Sequence, residues 1–202
     1  EKVGYLFRDC MSLESVDLHG FGFSNVESLS HMFYGCSSLR ALDLSSHDLS
    51  QVKTLRNLAH GCASLESFSL AGARLPQAER MDGMLARCSS LITADFTDVD
   101  LRGIRTMEGA FAGCSSLLGM YFPEGMDSID PRAFAGCISM ESVYVPSSVT
   151  RIAPGAFDDC ASLLYLFYDG DFEDWDALYS DYINPFTTAI CRDGEYYHGA
   201  GG

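Results

Sequence analysis

Eight cysteines stand at positions 10, 36, 62, 88, 114, 137, 160 and 191 of 202 residues. Thiols can pair as disulfides or hold zinc, so their spacing is the first thing to weigh. The separations are 26, 26, 26, 26, 23, 23 and 31 residues. Equivalent positions of a repeat stack in register with parallel Cβ vectors, which suits bridging badly. Zinc needs four ligands converging on one point, and a linear file of thiols without a CxxC pair does not supply that. The spacing predicts a column of reduced, buried thiols made of Cys10, Cys36, Cys62, Cys88, Cys114, Cys137 and Cys160. Cys191 lies outside the column, and a bridge from it to Cys160 stays open.

Carboxylates are the next groups able to do chemistry. "YDGDFEDWD" gathers Asp169, Asp171, Glu173, Asp174 and Asp176, an oxygen-rich run that suggests calcium. It lacks the glycine and terminal glutamate of an EF-hand loop, so solvated surface acids are the expectation, with no metal and no cofactor. Asp17 and Asp43 could form an acid–base pair, but stacked surface acids are expected in a chain with 28 acids and 13 bases. The five histidines share no repeat position, and no HExxH, GxSxG or glycine-rich phosphate loop occurs. The chain is expected not to be an enzyme. A net charge of −15 and a pI near 4.5 disfavour nucleic acid and anionic lipid as partners. No apolar run reaches the roughly 18–20 residues of a membrane span, so no membrane insertion is expected.

The elements that position these groups follow from the same period. Three residues after each cysteine stand Leu13, Leu39, Leu65, Leu91, Leu117, Met140 and Leu163. Six and eight residues after come further apolar positions, such as Leu42 with Leu44 and Val143 with Val145. Alternation over so few residues predicts one short strand per repeat with one face inward. A period of 20 to 29 with a strand signal is that of leucine-rich repeats. Val26, Leu29 and Phe33, then Val52, Leu55 and Ala59, have helical spacing, with Asn25 and Ser50 as N-caps. The 23-residue units lose about a helical turn and offer Pro131 and Pro154 to short helices or 3₁₀ turns. The expected fold is an α/β solenoid: a right-handed leucine-rich repeat superhelix with one parallel sheet of seven strands and short helices or 3₁₀ turns on the convex side. Residues 1–168 would form the solenoid, with 26-residue repeats to about 114, and residues 169–202 a C-terminal cap and tail. The chain opens partway through a unit, which reads as a piece of a longer protein.

"AFAGCISMESVYVPSSVTRIAPGAFDDCASL" resembles the BspA-like leucine-rich repeats of bacterial and protist surface proteins. "SNVESLSHMFYGCSSLRALDLS" is similar to the longer repeat found beside them, and "LFYDGDFEDWDAL" to their closing segment. Ala59 and Leu85 depart from the usual phenylalanine. The resemblance implies an extracellular or cell-surface module engaged in adhesion, with host or matrix proteins as partners.

Two columns of the expected concave face carry the functional reading. Seven residues after each cysteine stand Asp17, Asp43, Ser69, Asp95, Tyr121, Tyr144 and Phe167, and Tyr165 lies two before the last. The face switches from acidic to aromatic where the period changes. Charge shifts with it: residues 1–113 hold 14 acids and 10 bases, net −4, and residues 114–202 hold 14 and 3, net −11. Tyr121, Tyr144, Tyr165 and Phe167, with Asp17, Asp43 and Asp95, are the candidate ligand-binding residues. Cross-strand aromatic ladders that merely stabilise the sheet are the competing reading. Phe172, Trp175 and Tyr179 are expected to seal the open end of the core. The expected function is non-enzymatic recognition of a protein ligand by a monomer. A carbohydrate-binding module and a purely structural spacer are the alternatives.

Overall fold

The computed structural model describes residues 3–45, 47–178 and 187–197. They form a parallel β-solenoid with the turns stacked in register at the cysteine spacing. In chain order the elements are β1 (Ala41–Asp43), β2 (Ser67–Ser69), β3 (Thr93–Asp95), β4 (Gly119–Tyr121), β5 (Ser128–Ile129), β6 (Ser142–Val145), β7 (Arg151–Ile152), β8 (Tyr165–Tyr168), α1 (Phe172–Leu178), β9 (Thr188–Cys191) and β10 (Gly194–Tyr197).

Three sets of backbone pairings run along the stack of turns. The first is the main sheet, in which Leu42 pairs with Phe68 and Phe68 with Ala94, and later Met120 with Val143 and Val143 with Leu166. The second stands eight residues before each cysteine. It consists of the parallel bridges Ser28–Thr54, Thr54–Arg80 and Arg80–Thr106, and the β5–β7 pair holds the same position in the short turns. In the third, alternate N–H groups reach the next turn, as His31 to the Arg56 carbonyl (3.1 Å), Phe33 to Leu58 (2.8 Å) and Gly35 to His60 (2.9 Å). The N–H groups between them close tight turns, as Tyr34 to the His31 carbonyl (3.2 Å) and Cys36 to Phe33 (3.1 Å).

That third ladder replaces the expected convex helices. Five residues before each cysteine the backbone is left-handed, at φ 60° for His31, 51° for Asn57 and 57° for Gly83. One residue before, it is left-handed again, at 72° for Gly35 and 76° for Gly61. A right-handed helix tolerates no such residue in every turn. The helix-like spacing of Val26, Leu29 and Phe33 therefore reports a succession of tight turns that bury one residue each. Asn25 and Ser50 cap no helix, and the Ser50 N–H bonds to Asp48 Oδ1 instead (3.1 Å). The three residues missing from the short turns are lost between the first and second ladders. There the long turns carry an additional corner, marked by the Asp48–Arg74 bridge.

The main sheet also departs from a single seven-stranded layer. Six repeat strands lie on it, because residues 15–17 of the first turn form none and that turn joins the second through Arg40 N–H to the Glu14 carbonyl (3.1 Å). Strands β1–β2–β3 and β10–β9–β8–β6–β4 are separate sheets. The break between β3 and β4 falls where the arc after the strand shortens, so turns on its two sides are not congruent. At the far end β9 adds parallel to β8 and β10 antiparallel to β9. Helix α1 lays buried Trp175 against Tyr168, with ring centroids 5.7 Å apart. Half-buried Phe172 packs on the same core, and Asp193 accepts its N–H at 3.2 Å. Tyr179, the third expected cap residue, lies outside the described residues.

Cys36, Cys62, Cys88, Cys114, Cys137 and Cys160 are buried, and all eight cysteines are free thiols, Cys191 included. Each of the six donates its S–H to a carbonyl of the preceding turn: Phe7, Phe33, Ala59, Leu85, Phe111 and Phe134, at 3.0, 3.1, 3.2, 3.2, 3.2 and 3.2 Å. Each carbonyl already accepts the N–H of its own turn's cysteine, so the thiol takes its second lone pair. Cys10 is the exception to the expected column. It is exposed, and no described turn supplies it with the carbonyl that the other six thiols reach. Burial pushes the Cys62 thiol up to about 12 and that of Cys36 up to about 11, so the file stays protonated at neutral pH.

Candidate ligand-binding face

The outward side chains of the main sheet differ on the two sides of the break. In the early strands they serve the backbone. Asp17, Asp43 and Asp95 are exposed, and each Oδ1 accepts the N–H two residues on, from His19 (2.8 Å), Ser45 (2.8 Å) and Thr97 (2.9 Å). Ser69 Oγ does the same for Ala71 (3.2 Å). These are Asx-type turns that close the strands. The Ser45 N–H holds the Asp43 carboxyl below its ordinary range. Three of the expected ligand contacts are thus engaged in local turns.

The later strands carry no such turn. Two residues after Tyr121 and Tyr144 stand Pro123 and Pro146, which have no N–H and need no acceptor. After Phe167 the equivalent N–H, of Asp169, bonds to the Val145 carbonyl (3.1 Å). The column is released from turn formation and carries aromatic rings. Tyr121 and Tyr144 lie with centroids 4.9 Å apart, and Tyr165 and Phe167 with theirs 6.2 Å apart. Tyr121 is 55% exposed, Tyr165 46% and Phe167 37%, and Tyr144 is half-buried. Burial, then Asp169 and Tyr121, raise the Tyr144 hydroxyl above its usual value, so it stays a neutral donor.

A neighbouring column adds contacts the sequence reading missed. Four residues after their cysteines, Arg40 and Glu66 pair across early turns at 3.4 Å, Ile92, Leu118 and Leu164 are exposed apolar residues, and Glu141 is an exposed acid between the last two. Apolar residues at that position in three turns, interrupted by Glu141, were the available signal. Ile92 and Leu118 flank the break with Thr93, Gly119, Tyr121 and Phe167, forming an open groove of about 410 Å³. Gly119 sits on its floor, where a Cβ would stand 3.1 Å from the Ser142 carbonyl oxygen. A groove with apolar walls and two phenol rims can receive an apolar side chain and hydrogen-bond the backbone beside it.

Of the acids near the cap, Asp171 is used locally. Asp171 pairs with Arg192 at 3.1 Å, and among the described residues no three His, Cys, Asp or Glu side chains are grouped to hold a metal ion. No helix among them is long and apolar enough to cross a membrane.

A stack of parallel turns with a cysteine file and one repeated strand defines a leucine-rich repeat protein. The model of the BspA type leucine rich repeat region matches residues 3–98 and 60–164, with six copies, and the chain belongs to that family. Two solved structures are similar to it. One is a leucine rich cell surface protein from Faecalibacterium prausnitzii, at 18% identity and TM-score 0.36, covering 88% of this chain and 72% of that one. The other is a leucine-rich repeat protein from Bacteroides ovatus, at 20% identity and TM-score 0.45, covering 93% of this chain and 62% of that one. Among curated protein sequences, none matches.

Proposed function

We propose that this chain is a non-enzymatic recognition module of a cell-surface protein, and that it binds a protein ligand through the groove and aromatic rings of its later strands. The observation that carries the reading is the concentration of exposed apolar side chains there. Ile92, Leu118, Tyr121 and Phe167 line one groove, and exposed Tyr165 stands 6.2 Å from Phe167. An exposed apolar patch with a polar rim is characteristic of protein-binding surfaces. The family is typically non-enzymatic. A net charge of −11 over residues 114–202 favours neutral or cationic partners and repels anionic ones.

Biolayer interferometry of the chain against purified matrix proteins, with a glycan array in parallel, tests this. Saturable binding to a protein that falls about tenfold or more in Tyr121→Ala/Tyr144→Ala, with the melting temperature unchanged, is the expected result. A glycan hit lost in the same variant would assign the face to carbohydrate. Silence in both screens would favour a spacer.

A further inference from the structure

Four arginines of the described residues make no ion pair: Arg56, Arg74, Arg87 and Arg132. In a chain with 28 acids that is unexpected, most of all for Arg132, one of three bases among the last 89 residues. The other two, Arg151 and Arg192, are paired with Asp130 and Asp171. Arg56, Arg87 and Arg132 line one cleft of about 340 Å³ on the third ladder, away from the groove. Small residues, Gly83, Ala86, Gly109 and Ala112, line it too. Two carboxylates share the wall. Asp82 is held by Arg80 at 2.9 Å and by the Thr106 hydroxyl at 2.7 Å, which leaves Glu108 as the one carboxylate without a side-chain partner.

Two of these arginines occupy costly backbone. Arg87 and Arg132 have φ of 62° and 59°. Every other turn fills the Arg87 position with glycine or aspartate, the residues that tolerate left-handed geometry. At the Arg132 position, Gly83, Gly109, Gly155 and Asn57 do likewise, and His31 and Tyr5 gain a ring stack 4.9 Å deep. Among the described residues, no ion pair or ring contact offsets the strain at either arginine. Strain kept without a structural return is the mark of a functional position. A third feature converges here. Tyr34 stacks on His60 at 5.0 Å, and the stack ends there because Ala86 and Ala112 follow in that column. His60 lines the cleft, with its Nδ1 buried and without a partner.

We propose that this cleft is a second binding site, for a carboxylate or sulfate group carried on a ligand about the size of one sugar ring. The guanidinium forks of Arg87 and Arg132 match a planar or tetrahedral oxyanion. The ring of the ligand continues the stack beyond His60. The volume lies near the lower end of the roughly 300–1,000 Å³ usual for small-molecule sites.

NMR titration of the whole chain with sodium glucuronate, sodium sulfate and glucose at low ionic strength tests the assignment. Glucuronate is expected to bind saturably and more tightly than sulfate, and glucose not to bind. Arg87→Gly/Arg132→Gly should lose about tenfold or more in glucuronate affinity. Its melting temperature should hold or rise by roughly 2–4 °C, because glycine relieves the left-handed strain. Arg132→Gln, which keeps a side chain there, should lose affinity as well, while Tyr121→Ala/Tyr144→Ala should bind as wild type. Equal binding of glucose, absence of saturable glucuronate binding, or wild-type affinity in both arginine variants would overturn the site. Sulfate binding as tightly as glucuronate would overturn the ring subsite.

Discussion

The turns before Cys114 and those after it share one core and end their strands differently. Before it, Asp17, Asp43, Ser69 and Asp95 spend their side chains as acceptors for the N–H two residues on. After it, Pro123 and Pro146 abolish that donor, and the same column is free to hold Tyr121 and Tyr144. One outward side chain cannot both close its own turn and meet a ligand. The acidic half of the sheet is committed to its fold, and the aromatic half has been released from that work. The core differs in parallel. Phe111, Phe134 and Phe157 stack without interruption, at 5.2 and 5.3 Å, whereas Ala59 and Leu85 separate Phe33 from Phe111 in the earlier turns.

The largest effect should come from breaking the later stack. Phe134 is fully buried and faces a ring on both sides. Phe134→Ala is expected to cost roughly 3–5 kcal/mol in urea denaturation. Phe33→Ala should cost about 0.5–1.5 kcal/mol less, since Phe33 stacks on Phe7 alone. Equal losses would show that the uninterrupted column adds nothing beyond burial.

Carboxylates sharpen the contrast at the next level. Asp130 is buried and works between turns, accepting the Met107 N–H at 2.8 Å and Arg151 at 2.8 Å. Asp130→Ala strands a buried donor and is expected to cost roughly 1–3 kcal/mol. Asp43 is exposed and its bonds go to neighbouring Ser45, where water can replace it, so Asp43→Ala should cost about 0.5–1 kcal/mol. Thermal denaturation of both variants would decide, and a costlier Asp43→Ala would mean that the early turns depend on their Asx closures more than the later ones on inter-turn bonds.

How much of this was legible beforehand differs by level. Cysteine spacing and the alternation after it placed every repeat strand, because stacking demands that equivalent residues recur. The third ladder was misread as helix, since an apolar residue every three or four positions is common to helices and to chains of tight turns. The distinguishing signal was present five residues before the cysteines, where Asn57, Gly83 and Gly109 mark left-handed backbone inside the expected helices. The aromatic column was visible as a composition switch, and the prolines two residues on explain why it switches. The Arg87–Arg132 cleft could not be read at all. Those residues are 45 positions apart and occupy different repeat columns, so their approach depends on how the turns stack.

The smallest effect is confined to the early turns, which hold every described histidine. Burial, reinforced by Arg87 and His31, lowers the pKa of His60, and burial with Arg8 and Arg56 lowers that of His31, both below the ordinary 6.5. Between the unfolded and folded values the unfolded chain binds more protons, so stability rises with pH there. It is fully present above about pH 6.5 and is lost as pH falls through the lower folded values. His60→Phe keeps a ring on Tyr34 and removes the titration, so its stability relative to wild type should improve as pH is taken from 7 to 5. Hydrogen exchange should place the wild-type loss in the turns around Cys36 and Cys62 and spare those after Cys114. A uniform loss across both regions would assign the acid sensitivity to net charge instead of these two rings.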